Sequence, residues 1–188
     1  MSNKQFILAS QSPRRKQLLE WAEIPFEVIV SDADEWYPAG LAMDEVAIFI
    51  ARNKALAVQN GNNDNKIIIA ADTIVVLNDE VIGKPRDRDD AIAILKKLSG
   101  QKHKVITGVV LLSNKKTIAF ADTTEVEFHP LTGEQVTFYV DKYKPYDKAG
   151  AYAIQEWIGV VGIKNIQGDF YNVMGLPVSR VVQALEKL

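Results

Sequence analysis

A single carboxylate interrupts a long apolar run of the sequence. Residues 67–77 read IIIAADTIVVL, so Asp72 lies among apolar residues that predict a strand buried on both faces. An ionised carboxylate without partners is too costly to bury, so such a group pairs with a cation, binds a metal or takes up a proton. The run alone leaves two interpretations equally open: a structural aspartate that is paired inside the fold, and a catalytic carboxylate.

A lysine follows Asp72 after one predicted hairpin. The pair Asn78-Asp79 suits a turn between the apolar residues 74–77 and the short strand 81–82. Lys84 comes directly after that strand and is therefore one short hairpin away from Asp72.

A second group of candidate residues follows the first predicted strand, residues 6–9. Ser12-Pro13 suits the N-cap and the first position of a helix, which places Arg14-Arg15 in the first turn. The helix dipole favours anions there and disfavours cations, so two arginines break the local rule, as functional sites do. Free amides, the hydroxyl of Ser10 and two guanidinium groups would form a phosphate receptor. A solvated basic turn is the alternative, but the joint occurrence of these features favours the anion site.

Acidic residues cluster after the second predicted strand, residues 26–30. Asp32, Asp34 and Glu35 fall within four positions, and hard divalent cations take oxygen ligands of this kind. A solvated loop is the more common interpretation of such a run. Residues 43–59 then show a helical period, with Lys54 among the polar positions.

Composition excludes several classes of function. The chain has 188 residues, of which 47% are hydrophobic and 24% charged, and its formal net charge is −2. These values predict one globular domain, or two small lobes that share one core, and give no electrostatic case for a nucleic-acid or membrane partner. The absence of cysteine excludes disulfides, thiolate metal sites and a cysteine nucleophile. We expect a cytoplasmic protein.

Strands and helices alternate along the chain, which predicts an α/β fold. The two histidines, His103 and His129, lie far apart and lack metal-ligand spacing, so we expect surface or satisfied residues. Beyond the segments already described, the pattern predicts a helix that begins in the charged run 86–90 and ends at Ser99-Gly100, a long hairpin of residues 104–112 and 116–128, a helix at 131–140, a loop at 142–148, a strand at 163–166, an ordered loop at 168–173 and a terminal helix at 177–188.

The chemistry that remains suits hydrolysis at phosphorus. The sequence lacks the phosphate loop, the dinucleotide fingerprint, the nucleophile elbow of serine hydrolases and the zinc-protease motif. Carboxylates, amines and guanidinium groups are left. Cations would offset phosphate charge, and a carboxylate would position or deprotonate water.

Separated motifs in chain order give the sequence a specific resemblance to the Maf family of nucleoside triphosphate pyrophosphatases. The resemblance covers nearly the whole chain and rests on LASQSPRRKQLL at 8–19, ARNKA at 51–55, AADTIV at 70–75, GKP at 83–85, LSGQKHKVITGV at 98–109, DKAGAYAIQ at 147–155 and NVMGLP at 172–177. It implies one domain over residues 1–188: an elongated, twisted mixed sheet flanked by helices, with two lobes around a central cleft, related to inosine-triphosphate pyrophosphatases. It also implies a magnesium- or manganese-dependent reaction that splits a nucleoside triphosphate into a monophosphate and pyrophosphate.

The resemblance assigns roles to the charged residues. Asp72 matches the family's proton acceptor, and Glu35 and Asp72 are the expected metal ligands. The expected phosphate-binding residues are Ser10, Arg14, Arg15, Lys54 and Lys84.

The resemblance also implies a preference for dTTP and UTP, with modified pyrimidine nucleotides as further candidate substrates. Arg14, Thr73 and Gln155 match the positions that sort substrates within the family. The amide of Gln155 offers a donor and an acceptor side by side, which complements the imide N–H and carbonyl of thymine or uracil but not the pattern of cytosine. Glu156-Trp157, which follows Gln155, is bulkier than expected at that place.

A different class of function stays open at this point. The family name carries an association with septum formation, so a nucleotide-binding regulator of cell division without turnover is the alternative. The intact set of carboxylate, lysines and arginines favours catalysis, because a protein that only binds needs no water-activating acid. A homodimer is a further expectation from the resemblance.

Overall fold

One mixed sheet forms the centre of the structure, a computed structural model that describes residues 5–30, 33–60 and 66–188. Within these residues its seven strands run in the order β2-β1-β3-β5-β6-β7, and β4 pairs with β3. The strands are β1 (Phe6–Leu8), β2 (Phe26–Val28), β3 (Ile67–Leu77), β4 (Glu80–Ile82), β5 (Lys102–Leu112), β6 (Thr117–Phe128) and β7 (Ile163–Gln167).

Both parallel and antiparallel pairs occur in the sheet. β1 is parallel to β2 and to β3, whereas the pairs β3–β4 and β6–β7 are antiparallel. The predicted turn after β3 is confirmed: Asn78 and Asp79 have φ values of 50° and 62°. Asn and Asp tolerate this left-handed region better than other non-glycine residues, and it is the region that a tight hairpin requires.

Helices flank the sheet, as the α/β prediction requires. They are α1 (Pro13–Trp21), α2 (Met43–Asn60), α3 (Arg88–Leu98), α4 (Gly133–Tyr143), α5 (Trp157–Gly162), α6 (Phe170–Met174) and α7 (Val178–Leu185), with a 3-10 turn at Ala149–Ala151. In the part of the chain that the structure describes, no helix has both the length and the apolarity that crossing a bilayer requires. The loop predicted at 168–173 is wrong in part, because α6 begins within it.

The chain divides into two compact units. The first unit comprises residues up to Asp72 together with 107–122 and 175–188, and the second comprises 73–106 and 123–174. Strands β3, β5 and β6 therefore contribute residues to both units. A turn between residues 61 and 65, which the sequence predicts, lies outside the described residues.

Small residues let α2 lie close to the sheet in the first unit. Ala47, Ala51 and Ala55 recur every four residues along α2, and all three are completely buried. Opposite them, a Cβ added to Gly108 of β5 would stand only 2.2 Å from the backbone carbonyl carbon of Ala47. The helix axis can approach the strand this closely because neither element has a large side chain at the contact. This packing fixes the distance between α2 and the sheet, and therefore the distance of Lys54 from the sheet.

Capping residues define the helices of the second unit. Asp87 caps α3, and its carboxylate accepts a bond from the backbone N–H of Asp90 at 2.9 Å. The structural interpretation of the run 86–90 is thereby confirmed. Thr132 and Gln135 form a reciprocal capping box at the start of α4. α3 packs against α4, and the buried faces of both helices belong to the core of this unit.

Candidate functional site

One lysine connects the two carboxylates that the sequence singles out as metal ligands. The ammonium group of Lys54 donates to Oδ1 of Asp72 at 2.5 Å and to Oε1 of Glu35 at 3.1 Å. The side chains of Asp72 and Lys54 are only 10% and 13% exposed, whereas that of Glu35 is 51% exposed. The cost of burying Asp72 is therefore offset by a direct charge partner. The bond engages Oδ1, so the second carboxylate oxygen can accept a proton or bind a cation.

The buried guanidinium of Arg15 lies in the same unit. Its Nε donates to the backbone carbonyl of Gly175 at 2.7 Å, and its Nη1 donates to the hydroxyl of Ser10 at 3.2 Å. Ser10 is itself buried and also accepts from the backbone N–H of Ser12 at 3.2 Å. Gly175 has a φ of 119°, a backbone conformation that residues other than glycine rarely adopt. These contacts fix the orientation of Arg15 within the first unit.

The charges of Asp72 and Glu35 act on the guanidinium of Arg15. Burial lowers the pKa of Arg15 below its ordinary value, while the charge of Asp72 opposes this effect most strongly. Arg14 lowers the pKa of Arg15 further, and Glu35 raises it. A guanidinium stays protonated in proteins despite such shifts. The first unit therefore holds a buried positive charge in the electrostatic neighbourhood of Asp72 and Glu35.

The start of α1 confirms the predicted cap. Ser12 is the N-cap, its side chain accepts from the backbone N–H of Arg15 at 3.5 Å, and Pro13 occupies the first turn. Arg14, in the same turn, is half-buried. No acidic residue occurs in this turn, so the positive end of the helix dipole and both arginines act together. The positive charge suits an anion, and the anion site itself stays a prediction.

Six predicted site residues thus belong to the first unit, and the structure links five of them by hydrogen bonds or ion pairs. Glu35, Lys54 and Asp72 form one cluster, Ser10 and Arg15 form the other, and Arg14 is the sequence neighbour of Arg15.

The other three predicted residues belong to the second unit. Thr73 is half-buried in β3, and Lys84 is exposed after β4. The carbonyl of Gly83, next to Lys84, accepts from the backbone N–H of Gly150 at 3.1 Å. Gln155 is exposed just before α5. The roles assigned to these three residues stay predictions.

Of the acidic run, Glu35 is the residue that the structure joins to the other candidate site residues. Asp32 lies outside the described residues, Asp34 is exposed, and Glu35 binds Lys54. Among the residues that the structure describes, no three His, Cys, Asp or Glu side chains form a group that could hold a metal. A metal here would therefore have to be held by at most two protein carboxylates, Glu35 and Asp72, as Mg²⁺ often is when substrate phosphates and waters complete its shell.

His103 has a packing role. It is buried in β5, its Nε2 lies 2.7 Å from the hydroxyl of Tyr152, and its ring stacks on Phe128. Burial lowers the pKa of His103 to about 4. The expectation of a surface or satisfied residue holds for His129, which is exposed, but only in part for His103, because its Nδ1 has no hydrogen-bond partner among the described residues.

Sequence reasoning missed a polar network beside Gln155. The hydroxyl of Tyr139 donates to the carboxylate of Glu156, and the ammonium group of Lys148 lies 3.7 Å from the same carboxylate. Lys148 is buried, and its side chain is only 9% exposed. The sequence pattern that could have indicated this network is Lys148 and Glu156 on either side of an apolar stretch that ends at Gln155.

Comparison with known proteins identifies a family and several full-length relatives. The chain matches the family of Maf-like proteins over residues 5–188. A relative from Cytophaga hutchinsonii, named dTTP/UTP pyrophosphatase, is 50% identical over 188 residues, which cover 100% of this chain and 86% of the relative. A relative of the same name from Parabacteroides distasonis is 49% identical, with 96% and 94% of the two chains covered.

A solved structure supports the fold class. The Ham1 protein of Staphylococcus aureus superimposes with a TM-score of 0.52 at 20% identity, over 98% of each chain. At this identity the likeness concerns the fold alone, and it confirms the α/β class with a mixed sheet flanked by helices. The family match over almost the whole chain and the identity to full-length relatives settle the grouping: this chain belongs to the Maf family.

Proposed function

We propose that this chain hydrolyses dTTP and UTP to the nucleoside monophosphate and pyrophosphate. The observation that carries the proposal is the pair of carboxylates, Asp72 and Glu35, joined by Lys54 in the unit that also buries Arg15. This combination suits attack by water on a phosphate group. The names of relatives at 49% and 50% identity support the choice of substrate and products.

Phosphate binding rests on the cations of the first unit. Arg15 is held by Ser10 and Gly175, so its guanidinium is oriented before a ligand arrives. Preorganisation of this kind reduces the entropy that binding costs and directs donors at phosphate oxygens. Arg14 and the first amides of α1 add positive potential. We assign the triphosphate to this region, and Lys84 to the same role by resemblance.

Asp72 is the proposed proton acceptor. A water molecule bound to its carboxylate would lose a proton to it as the water oxygen bonds to phosphorus. The elements of water are thereby added across the anhydride between the α and β phosphates, and pyrophosphate leaves. Lys54 orients the carboxylate through its bond to Oδ1 and offsets negative charge as the bond breaks.

A divalent cation fits the donor set. Glu35 and Asp72 supply oxygen ligands, which Mg²⁺ and Mn²⁺ prefer, and both carboxylates reach the same ammonium group. When bound, such an ion polarises the phosphate oxygens and neutralises their charge. We propose magnesium or manganese as the cofactor and Glu35 and Asp72 as the residues that hold it.

Base selection is assigned to Arg14, Thr73 and Gln155 on the strength of the resemblance. The carboxamide of Gln155 can donate to a carbonyl and accept from the imide N–H of thymine or uracil. Cytosine presents a ring acceptor in place of that N–H, so an amide held in the same orientation would lose one bond and leave a polar group unpaired. A site that binds a substrate through such bonds discriminates strongly against the analogue that lacks them.

A nucleotide panel tests the proposal. The purified chain is incubated with each common nucleoside triphosphate, with and without Mg²⁺ or Mn²⁺, and the products are separated. We expect dTMP or UMP and pyrophosphate in equal amounts, with dTTP and UTP preferred to dCTP, CTP and the purine nucleotides. Binding without turnover, cleavage of purine nucleotides alone, or release of single phosphate would contradict the proposal.

A further inference from the structure

The backbone around Gln155 is tied to the buried side of α4. Tyr139 of α4 is completely buried, and its hydroxyl accepts from the backbone N–H of Ala153 at 3.1 Å. The same hydroxyl donates to Oε2 of Glu156. One phenol therefore holds a residue before Gln155 and the residue directly after it.

A buried ammonium group holds the other oxygen of Glu156. Nζ of Lys148 lies 3.7 Å from Oε1 of Glu156 and 2.7 Å from Oδ1 of Asp147. The side chain of Glu156 is 23% exposed and that of Lys148 is 9% exposed, so solvent screens this pair only weakly. Because its two oxygens have different partners, the carboxylate of Glu156 has one preferred orientation.

The residue after Glu156 is anchored as well. The ring of Trp157 packs edge-on against Phe138, with centroids 4.8 Å apart. A Cβ on Gly159 would lie 1.7 Å from the carbonyl oxygen of Ile154, so α5 closes tightly onto the segment. The bulk of Glu156 and Trp157, unexpected from the sequence, thus serves to attach the segment to α4.

Gln155 is exposed within this anchored segment. An exposed side chain can recognise a base with precision only if its backbone is already in place, because ordering a mobile loop costs binding free energy. The contacts of Glu156 and Tyr139 provide that order.

We propose that Glu156, held by Tyr139 and Lys148, is a positioning residue that acts through Gln155 to select thymine and uracil over cytosine. The inference rests on the proposed function, since the base-recognising role of Gln155 is part of it. It assigns substrate selectivity to residues that lie outside the group Arg14, Thr73 and Gln155.

The test compares selectivity among variants. Glu156→Ala and Tyr139→Phe are assayed with dTTP and dCTP, and the ratio of the two kcat/KM values is the readout. The matched control is Asp141→Asn, which removes a carboxylate of α4 that pairs with Arg88 at 2.6 Å on the exposed surface. We expect the ratio to fall about tenfold in both test variants, as the loss of one well-formed hydrogen bond to the base predicts, and to stay unchanged in the control.

A double-mutant cycle separates positioning from general damage. If Glu156 acts through Gln155, then adding Glu156→Ala to Gln155→Ala leaves the dTTP-to-dCTP ratio where Gln155→Ala alone puts it. A purely structural role for Glu156 would lower stability and leave the ratio of the single variant at the wild-type value. That result would overturn the inference.

Hydrogen exchange provides a readout without turnover. Tyr139→Phe removes the acceptor of the Ala153 amide, so we expect amide exchange in residues 153–156 to become about tenfold faster than in the wild type. Unchanged exchange would contradict the anchoring itself. A wild type that cleaves no triphosphate refutes the proposed function. A wild type that prefers dTTP to dCTP, with variants that keep this preference, refutes the inference alone.

Discussion

At the scale of single residues, burial decides what the ion pairs can do. Lys54 and Asp72 approach to 2.5 Å with most of both side chains buried. Lys97 and Glu80 approach to the same 2.5 Å, but their side chains are 45% and 64% exposed. Water screens the second pair and not the first, so equal distances correspond to unequal free energies. Only the buried pair can hold a carboxylate in a fixed orientation for chemistry.

This contrast gives a direct prediction for Lys54→Ala, with Lys97→Ala as its control. Removing Lys54 leaves Asp72 buried without its charge partner, which should lower the free energy of unfolding by about 3 kcal/mol, whereas Lys97→Ala should cost less than about 1 kcal/mol. Urea denaturation measures both. We also expect pyrophosphate release to fall about 100-fold or more in Lys54→Ala and to persist in the control. Equal losses of stability in the two variants would show that burial does not matter here.

At the scale of elements, the close approach of α2 to β5 positions Lys54. Lys54 lies on the same helix as the buried Ala47, Ala51 and Ala55, and the backbone of this helix at Ala47 lies against Gly108. Any displacement of α2 moves the ammonium group away from Asp72. The glycine in β5 is therefore part of how the site is built, although it lies outside the cluster of charged residues.

The variant Gly108→Ala tests this dependence. Its new Cβ would stand 2.2 Å from the backbone carbon of Ala47, so the helix must shift. We expect the free energy of unfolding to fall by about 1–3 kcal/mol, with a loss of activity beyond what the stability loss explains. Gly133→Ala is the control, because no atom lies within 4 Å of a Cβ placed there. A Gly108→Ala protein with the wild-type Tm and rate would contradict the argument.

Elements with a strong periodic signal could be predicted, and short ones could not. The prediction for β3 coincides with the observed Ile67–Leu77, because eleven residues of almost unbroken apolar character can only be a buried strand here. α5 and α6 have only 6 and 5 residues, too few for a helical period, and α5 contains two glycines. Tertiary contacts decide their conformation, as the contact of Gly159 with Ile154 illustrates.

At the scale of the whole molecule, the sequence singled out candidate site residues but not the contacts that join them. Asp72 stood out by its apolar neighbours, and Arg14-Arg15 by its place in a helix turn. The bond of Lys54 to both Asp72 and Glu35 joins residues that are 18 and 19 positions apart in the chain, which no local pattern reveals. The contact between Tyr139 and Glu156 could not be predicted for the same reason, because these residues are 17 positions apart in the chain.

Acid stability is a property of the whole chain to which His103 contributes. Its pKa is about 4 in the folded protein against 6.5 ordinarily, so the ring stays neutral in the fold while the unfolded chain takes up a proton below about pH 6.5. Stability therefore falls as the pH drops from 6.5 towards 4, by about 2 kcal/mol at about pH 5.

The measurement for His103 is urea denaturation at about pH 7.5 and about pH 5. In His103→Gln the difference in the free energy of unfolding between the two pH values should shrink by about 2 kcal/mol. An identical pH dependence in wild type and His103→Gln would contradict the proposed cause.

Pyrophosphate release from dTTP by Asp72→Asn tests whether Asp72 is the proton acceptor. The asparagine keeps an oxygen for Lys54 to bond but cannot take a proton from water, so the fold should persist, as circular dichroism and nucleotide binding would show. Asp122→Asn, which removes the partner of Arg180 at 3.6 Å in the same unit, is the control. We expect wild-type release in the control and a rate lower by about 100-fold or more in Asp72→Asn. A folded Asp72→Asn protein that releases pyrophosphate within a few-fold of the wild-type rate would contradict the role of Asp72 as proton acceptor.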